Sequence, residues 1–249
     1  MMKYSMTAAG WLTIFCLWLI PPGFALAGEH ARRSTIWDIH LGDEAAAIPD
    51  AYVNYACGTN GGPPSLRLTS FVDFKKCKPD ANGLHEVYFE YDDELEYEAR
   101  ALDDKSLIRM YAGTTVFEFP IVASILFDDA GLVRGERMVT DPRQQVSRDR
   151  LEFWELANFL HHRFGDDGWV CSDLPPEDGE KAAMTKFLKN RCEKTTVDAR
   201  LILDQRFFQK KGQQFTDPVT GKAQPQAFES GTRFEMYDAA LGARTPDTK

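Results

Sequence analysis

CGTNGGPPSLRLTSFVDFKKC (residues 57–77) and CSDLPPEDGEKAAMTKFLKNRC (residues 171–192) are the stretches on which the reading of this chain turns. Each begins and ends on Cys. Each carries a Pro pair soon after its first Cys, Pro63-Pro64 in one and Pro175-Pro176 in the other. Each also holds a helical pattern running into its second Cys. In the first, Ser70 and Asp73 fit a capping box, and Phe71 and Phe74 share a face. In the second, Glu177, Asp178 and Glu180 precede Lys186, Lys189 and Arg191, an order that suits a helix dipole. Met184, Phe187, Leu188 and Cys192 then fall at helical spacing.

The parallel extends downstream. After Cys77 comes the alternating run HEVYFEYDDELEYEARAL (residues 85–102), and after Cys192 comes TTVDARLILDQRFFQK (residues 195–210). Gly113-Thr114-Thr115-Val116-Phe117-Glu118 is echoed by Gly231-Thr232-Arg233-Phe234-Glu235. The Cys pairs and Gly113/Gly231 are offset by 114 to 118 residues, and landmarks in one order at one offset are the mark of an internal repeat. Residues 85–102 read either as one long twisted strand or as a hairpin turning at residues 92–94, since Val87, Phe89, Tyr91, Leu95, Tyr97 and Ala99 keep one parity. Residues 114–140 read as a hairpin turning at Asp128-Asp129-Ala130-Gly131. Residues 149–164 read as a helix, capped by Asp149 with Glu152 and ended by Gly165.

This layout predicts an α+β chain of two tandem repeats, each a helix, a disulfide-closed loop and an antiparallel β-sheet. The repeats would span residues 28–145 and 146–239, with residues 240–249 a disordered tail. The stretch ACGTNGGPPS (residues 56–65), followed by HEVYFEYDDELEY, resembles an uncharacterised family of exported bacterial proteins. The tandem layout over residues 35–238 resembles the β-lactamase inhibitor protein family, which has one disulfide per unit, and the BamE-like outer-membrane lipoprotein family. The resemblance is one of architecture. It transfers no inhibitory or assembly residue, and the lipobox of the BamE-like proteins is absent here.

The first 27 residues read as an export signal. Lys3 precedes the ten-residue apolar run of residues 11–20, Pro21-Pro22-Gly23 breaks it, and Ala25-Leu26-Ala27 offers the small residues of a cleavage site. The run is shorter than the ~20 residues needed to span a bilayer. Cys16 lies inside it behind bulky Phe15, which argues against lipidation. Cleavage after Ala27 would leave 28 Lys and Arg against 38 Asp and Glu. Such acidity argues against nucleic acid or an anionic membrane as partner, so another envelope or secreted protein is the expected one. Residues 28–145 carry most of the imbalance, with 21 acids to 12 bases.

Four cysteines remain after cleavage. An even count in an exported chain implies disulfides, and Cys57–Cys77 with Cys171–Cys192 closes two short local loops. A zinc use is the weaker reading, because no close C-x-x-C pair exists.

No nucleophile elbow, zincin, P-loop or dinucleotide fingerprint occurs, and no cofactor is expected. Gly58-Thr59-Asn60-Gly61-Gly62 lacks the Lys of a phosphate cradle and reads as a surface loop pinned by Cys57. His161, His162, Asp166 and Asp167 could ligate a divalent metal or relay protons. The same residues also suit a helix C-terminus followed by a Gly-Asp-Asp-Gly turn. Glu90, Asp92, Asp93, Glu94, Glu96 and Glu98 form an acidic strip that could hold Ca²⁺, though without the EF-hand loop pattern, meet a basic partner, or simply be a solvated sheet face. Cleavage after Ala27 would also place Gly28-Glu29-His30 at the amino terminus. The amine, two amide nitrogens and the His30 imidazole could then hold Cu²⁺ or Ni²⁺ in a square plane. These observations predict a non-enzymatic extracytoplasmic binding protein, with a metal-dependent hydrolase or metal-binding protein as the alternative.

Overall fold

The run FPIVASILF is apolar at nearly every position, and it forms a strand buried on both faces near the middle of a ten-stranded sheet. The computed structural model describes residues 32–141, 153–212, 215–216, 221–224 and 228–241. The expected leader, Gly28, His30, the helix cap at residues 149–152 and residues 242–249 lie outside that set. The described residues from Arg33 onward form one compact unit.

Twelve strands are present among the described residues: β1 (Tyr52–Cys57), β2 (His85–Tyr91), β3 (Thr115–Val116), β4 (Phe119–Phe127), β5 (Val133–Thr140), β6 (Val170–Asp173), β7 (Glu180–Lys181), β8 (Leu188–Thr195), β9 (Ala199–Lys210), β10 (Phe215–Thr216), β11 (Ala223–Gln224) and β12 (Glu229–Asp238). The α-helices among the described residues are α1 (Glu94–Ala101), α2 (Lys105–Tyr111) and α3 (Phe153–Arg163). The main sheet runs β1-β2-β4-β5-β12-β9-β8-β6, with β3 on β4 and β7 on β9. The first half of the chain therefore steps from one edge to the centre, and the second half steps inward from the other edge. They meet where β5 pairs antiparallel with β12.

This overturns the expected α+β tandem repeat. The molecule is mostly antiparallel β, and the two halves share one continuous sheet. By position β1 corresponds to β6, β2 to β8, β4 to β9 and β5 to β12. The sequence parallel matched residues 85–102 to residues 195–210, which are β2 plus α1 against the end of β8 and all of β9, so that correspondence fails. The second Cys loop holds no helix among its residues. Cys192 sits on β8 directly opposite Cys171 on β6, and Met184 is 71% exposed in left-handed backbone. The charges and apolar positions that read as a helix instead serve a strand, where Leu188 and Cys192 lie on one side at even spacing. The later half of residues 85–102 departs in the other direction. Leu95 and Ala99 are also four apart, and Glu96 pairs with Arg100 one helical turn on, so α1 forms where a strand was expected.

Other expectations hold. Phe71–Lys76 is a 3-10 helix with Phe71 and Phe74 buried, although Asp73 takes its hydrogen bonds from Thr69 rather than Ser70. The β4–β5 hairpin turns at Asp128, whose carboxylate accepts from the Ala130 and Leu132 amides. Gly165 follows α3 at φ +82°.

Register places the core. Phe89, Ala123, Met138, Phe234, Leu203, Cys192 and Cys171 form one cross-strand row through seven strands. Leu156, Ala157 and Leu160 of α3, with Ile36 and Phe71, join this face in one core cluster. The neighbouring row is Tyr88, Ser124, Arg137, Glu235, Ile202, Glu193 and Val170. Successive residues on a strand point to opposite faces, so the second face is largely polar.

Candidate functional site

Both disulfides form as expected, Cys57–Cys77 and Cys171–Cys192. The first ties β1 to the end of the 3-10 helix, and the second staples edge strand β6 to β8. Among the described residues no helix is long and apolar enough to cross a membrane.

The glycine-rich loop lies on the polar face. A Cβ at Gly58 would fall 2.3 Å from the Glu86 side chain, and one at Gly61 would fall 2.4 Å from Val139 Cγ2. Close backbone approach accounts for both glycines. Below the loop is a buried charge network. Arg137 donates to Glu235 at 2.7 Å and to Glu86 at 2.6 Å. The Asn60 amide donates to Glu86 at 2.7 Å, and Arg233 donates to the Asn60 carbonyl at 2.9 Å. Burial alone would push the Glu235 carboxyl up, but Arg233 and Arg137 outweigh it and hold it below its ordinary value. Arg137, Arg233 and the Asn60 amide tie these groups together, while Glu86 Oε1 is buried without a hydrogen-bond partner; the loop reads as a structural cover.

On the core face, Glu136 is 1% exposed and its Oε2 has no hydrogen-bond partner. Burial pushes this carboxyl up to about 8, with Arg163 opposing and Asp43 adding to the shift. No sequence signal marked it, because GERMV alternates like any half-buried strand.

The acidic strip does not lie on one sheet face. Glu90 is the penultimate residue of β2, where Asn54 Nδ2 donates to it at 2.6 Å and the Tyr88 hydroxyl also bonds it. Asp92 and Asp93 form the turn into α1, and the Glu94 amide donates to Asp92 at 3.0 Å. Glu96 turns inward, accepting from Arg100 and from the Gly113 amide at 2.7 Å. Glu94 and Glu98 are exposed on α1. Residues missed by pattern alone lie on the same hairpin: Tyr97 is 74% exposed, Leu102 77% and Met110 60%, and α2 buries no residue. Asp104 caps α2, accepting from the Ser106 and Leu107 amides.

The histidine cluster assembles at the end of α3. Gly165 reverses the chain, so His161 Nδ1 and His162 Nδ1 face the same Asp166 oxygen at 3.5 and 2.5 Å. One donor atom from each of these three residues lies within 4.8 Å of the others. Asp167 is exposed and is not among the converging groups. The His162 imidazole holds the Asp166 carboxyl below its ordinary value. His161 stacks on Trp169 with centroids 5.1 Å apart, not on Trp154. Trp169 carried no sequence signal, being eight residues beyond His161 and across a turn.

Searches of protein-family models, curated proteins and solved structures find no match to this chain.

Proposed function

We propose that this chain is a non-catalytic protein of the periplasm or the exterior that binds a basic, amphipathic segment of another envelope or secreted protein. The α1–α2 hairpin carries this reading. It holds three large apolar side chains, Tyr97, Leu102 and Met110, in solvent on one supersecondary unit. Exposed apolar surface of this kind, rimmed by charge, is a feature of association sites. Residues 92–104 carry seven Asp or Glu against one Arg, which sets the sign of the partner. The leader-like first 27 residues and the two disulfides support export.

The test is site-specific photo-crosslinking in envelope preparations, with the probe at position 97, 110 or 197. Val197 is 93% exposed on the β8–β9 turn and serves as the control. Positions 97 and 110 should capture one protein through a Lys- or Arg-rich segment, and position 197 should not. Capture at 197 alone, or at none of the three, refutes the hairpin as contact surface.

A further inference from the structure

We infer that His161, His162 and Asp166 bind one first-row divalent metal ion, of the Zn²⁺ class, at the C-terminal end of α3. Two imidazole nitrogens and one carboxylate oxygen form a borderline donor set that suits such ions better than Mg²⁺ or Ca²⁺. Metal–ligand bonds of ~2.1 Å place tetrahedral donors ~3.4 Å apart. His161 Nδ1 and Asp166 Oδ1 already stand 3.5 Å apart. His162 Nδ1 and Asp166 Oδ1, at 2.5 Å, must separate by about an ångström to meet that spacing. Their side chains are 70% and 64% exposed, so rotation is free to do this.

The surroundings hold the backbone turn and the His161 ring in place. Lys194 Nζ donates to the Phe164 and Gly165 carbonyls at 2.6 and 2.9 Å. Trp169 Nε1 donates to the same Gly165 carbonyl at 2.9 Å. Two donors from outside α3 thus fix the turn that delivers Asp166, and the stack on Trp169 fixes the His161 ring. A helix C-terminus also adds negative potential that favours a cation. Three protein donors leave at least one coordination position to solvent or to a further ligand.

Equilibrium dialysis of the purified full chain against Zn²⁺ tests the site, since Zn²⁺ is poorly suited to the square plane that Gly28 and His30 could offer. Wild type should bind one equivalent. His162→Ala and Asp166→Asn should each weaken binding by at least about tenfold, with circular dichroism and both disulfides unchanged. His30→Ala should leave the stoichiometry as it is. Co²⁺ in place of Zn²⁺ should give visible absorption that His161→Ala removes, and should quench Trp169 emission. Absence of saturable Zn²⁺ binding overturns the assignment. So does binding that persists in the His161→Ala, His162→Ala, Asp166→Asn triple variant.

Discussion

Arg137 on β5 donates its Nε to Glu235 Oε1 on β12 at 2.7 Å, across the seam where the two halves of the chain join in one sheet. Both side chains are almost fully buried, 6% and 4% exposed, and Arg137 also holds Glu86. Removing Arg137 takes the cation from buried Glu86 and one of the two cations from buried Glu235. Arg137→Ala should therefore cost about 3–5 kcal/mol in urea unfolding. Arg137→Lys should cost less, because it keeps the charge and loses only the fork. A loss under about 1 kcal/mol for the alanine variant would be the value of a solvated surface pair and would contradict the buried network.

Glu136 should make stability fall as pH rises. Its folded value is pushed up to about 8, above the ordinary 4.5. Below about pH 4.5 both folded and unfolded forms are protonated, and nothing is lost. Between 4.5 and 8 the unfolded chain releases the proton while the folded chain keeps it, at 1.36 kcal/mol per pH unit. By pH 7 the loss is about 3 kcal/mol. Urea titrations from pH 5 to 8 should show this slope in wild type, and it should be absent in Glu136→Gln. Equal slopes in the two proteins would mean that Glu136 ionises freely in the fold.

Gly61 should not accept a side chain. It sits at φ +80°, and a Cβ there would meet Val139 Cγ2 at 2.4 Å. Gly61→Ala should destabilise by about 1–3 kcal/mol. Adding Val139→Ala should recover part of that loss by removing the clash while the backbone strain remains. If the alanine variant matches wild type in its urea midpoint, the loop does not rest on the sheet.

Each disulfide should contribute about 3 kcal/mol by restricting the unfolded chain. Separations of 20 and 21 residues make the two contributions alike. The Cys57→Ser/Cys77→Ser and Cys171→Ser/Cys192→Ser variants should therefore lose similar stability, and non-reducing peptide mapping should recover only these two linked pairs.

Association through the α1–α2 hairpin should weaken as salt rises, because exposed charges are screened beyond about 8 Å at physiological ionic strength. Glu94→Lys with Glu98→Lys should slow association by about tenfold and leave dissociation nearly unchanged. Salt-insensitive binding would place the contact on an uncharged surface instead.

The sequence alone determined the elements whose cause is local. The two Cys loops close over some twenty residues, so their pairing needs no knowledge of the fold. The Asp128–Gly131 turn carries its own hydrogen-bond acceptor, and α3 its Gly165 stop. The triplet His161, His162 and Asp166 was also legible, because a helix end and a glycine turn bring residues five apart together. Where two local signals agreed with two structures, sequence was silent. Odd-numbered apolar residues fit both a strand and α1 over residues 94–101, and the charged pattern of residues 177–191 fits both a helix and a strand. Tertiary structure chose between them through what lay alongside. Cys192 became a strand residue because Cys171 and Leu203 flank it, and the halves merged because β5 meets β12. Arg137 and Glu235 are 98 residues apart. A contact that distant depends on register across several intervening strands and on which face is covered, and neither is a property of any short window of the chain.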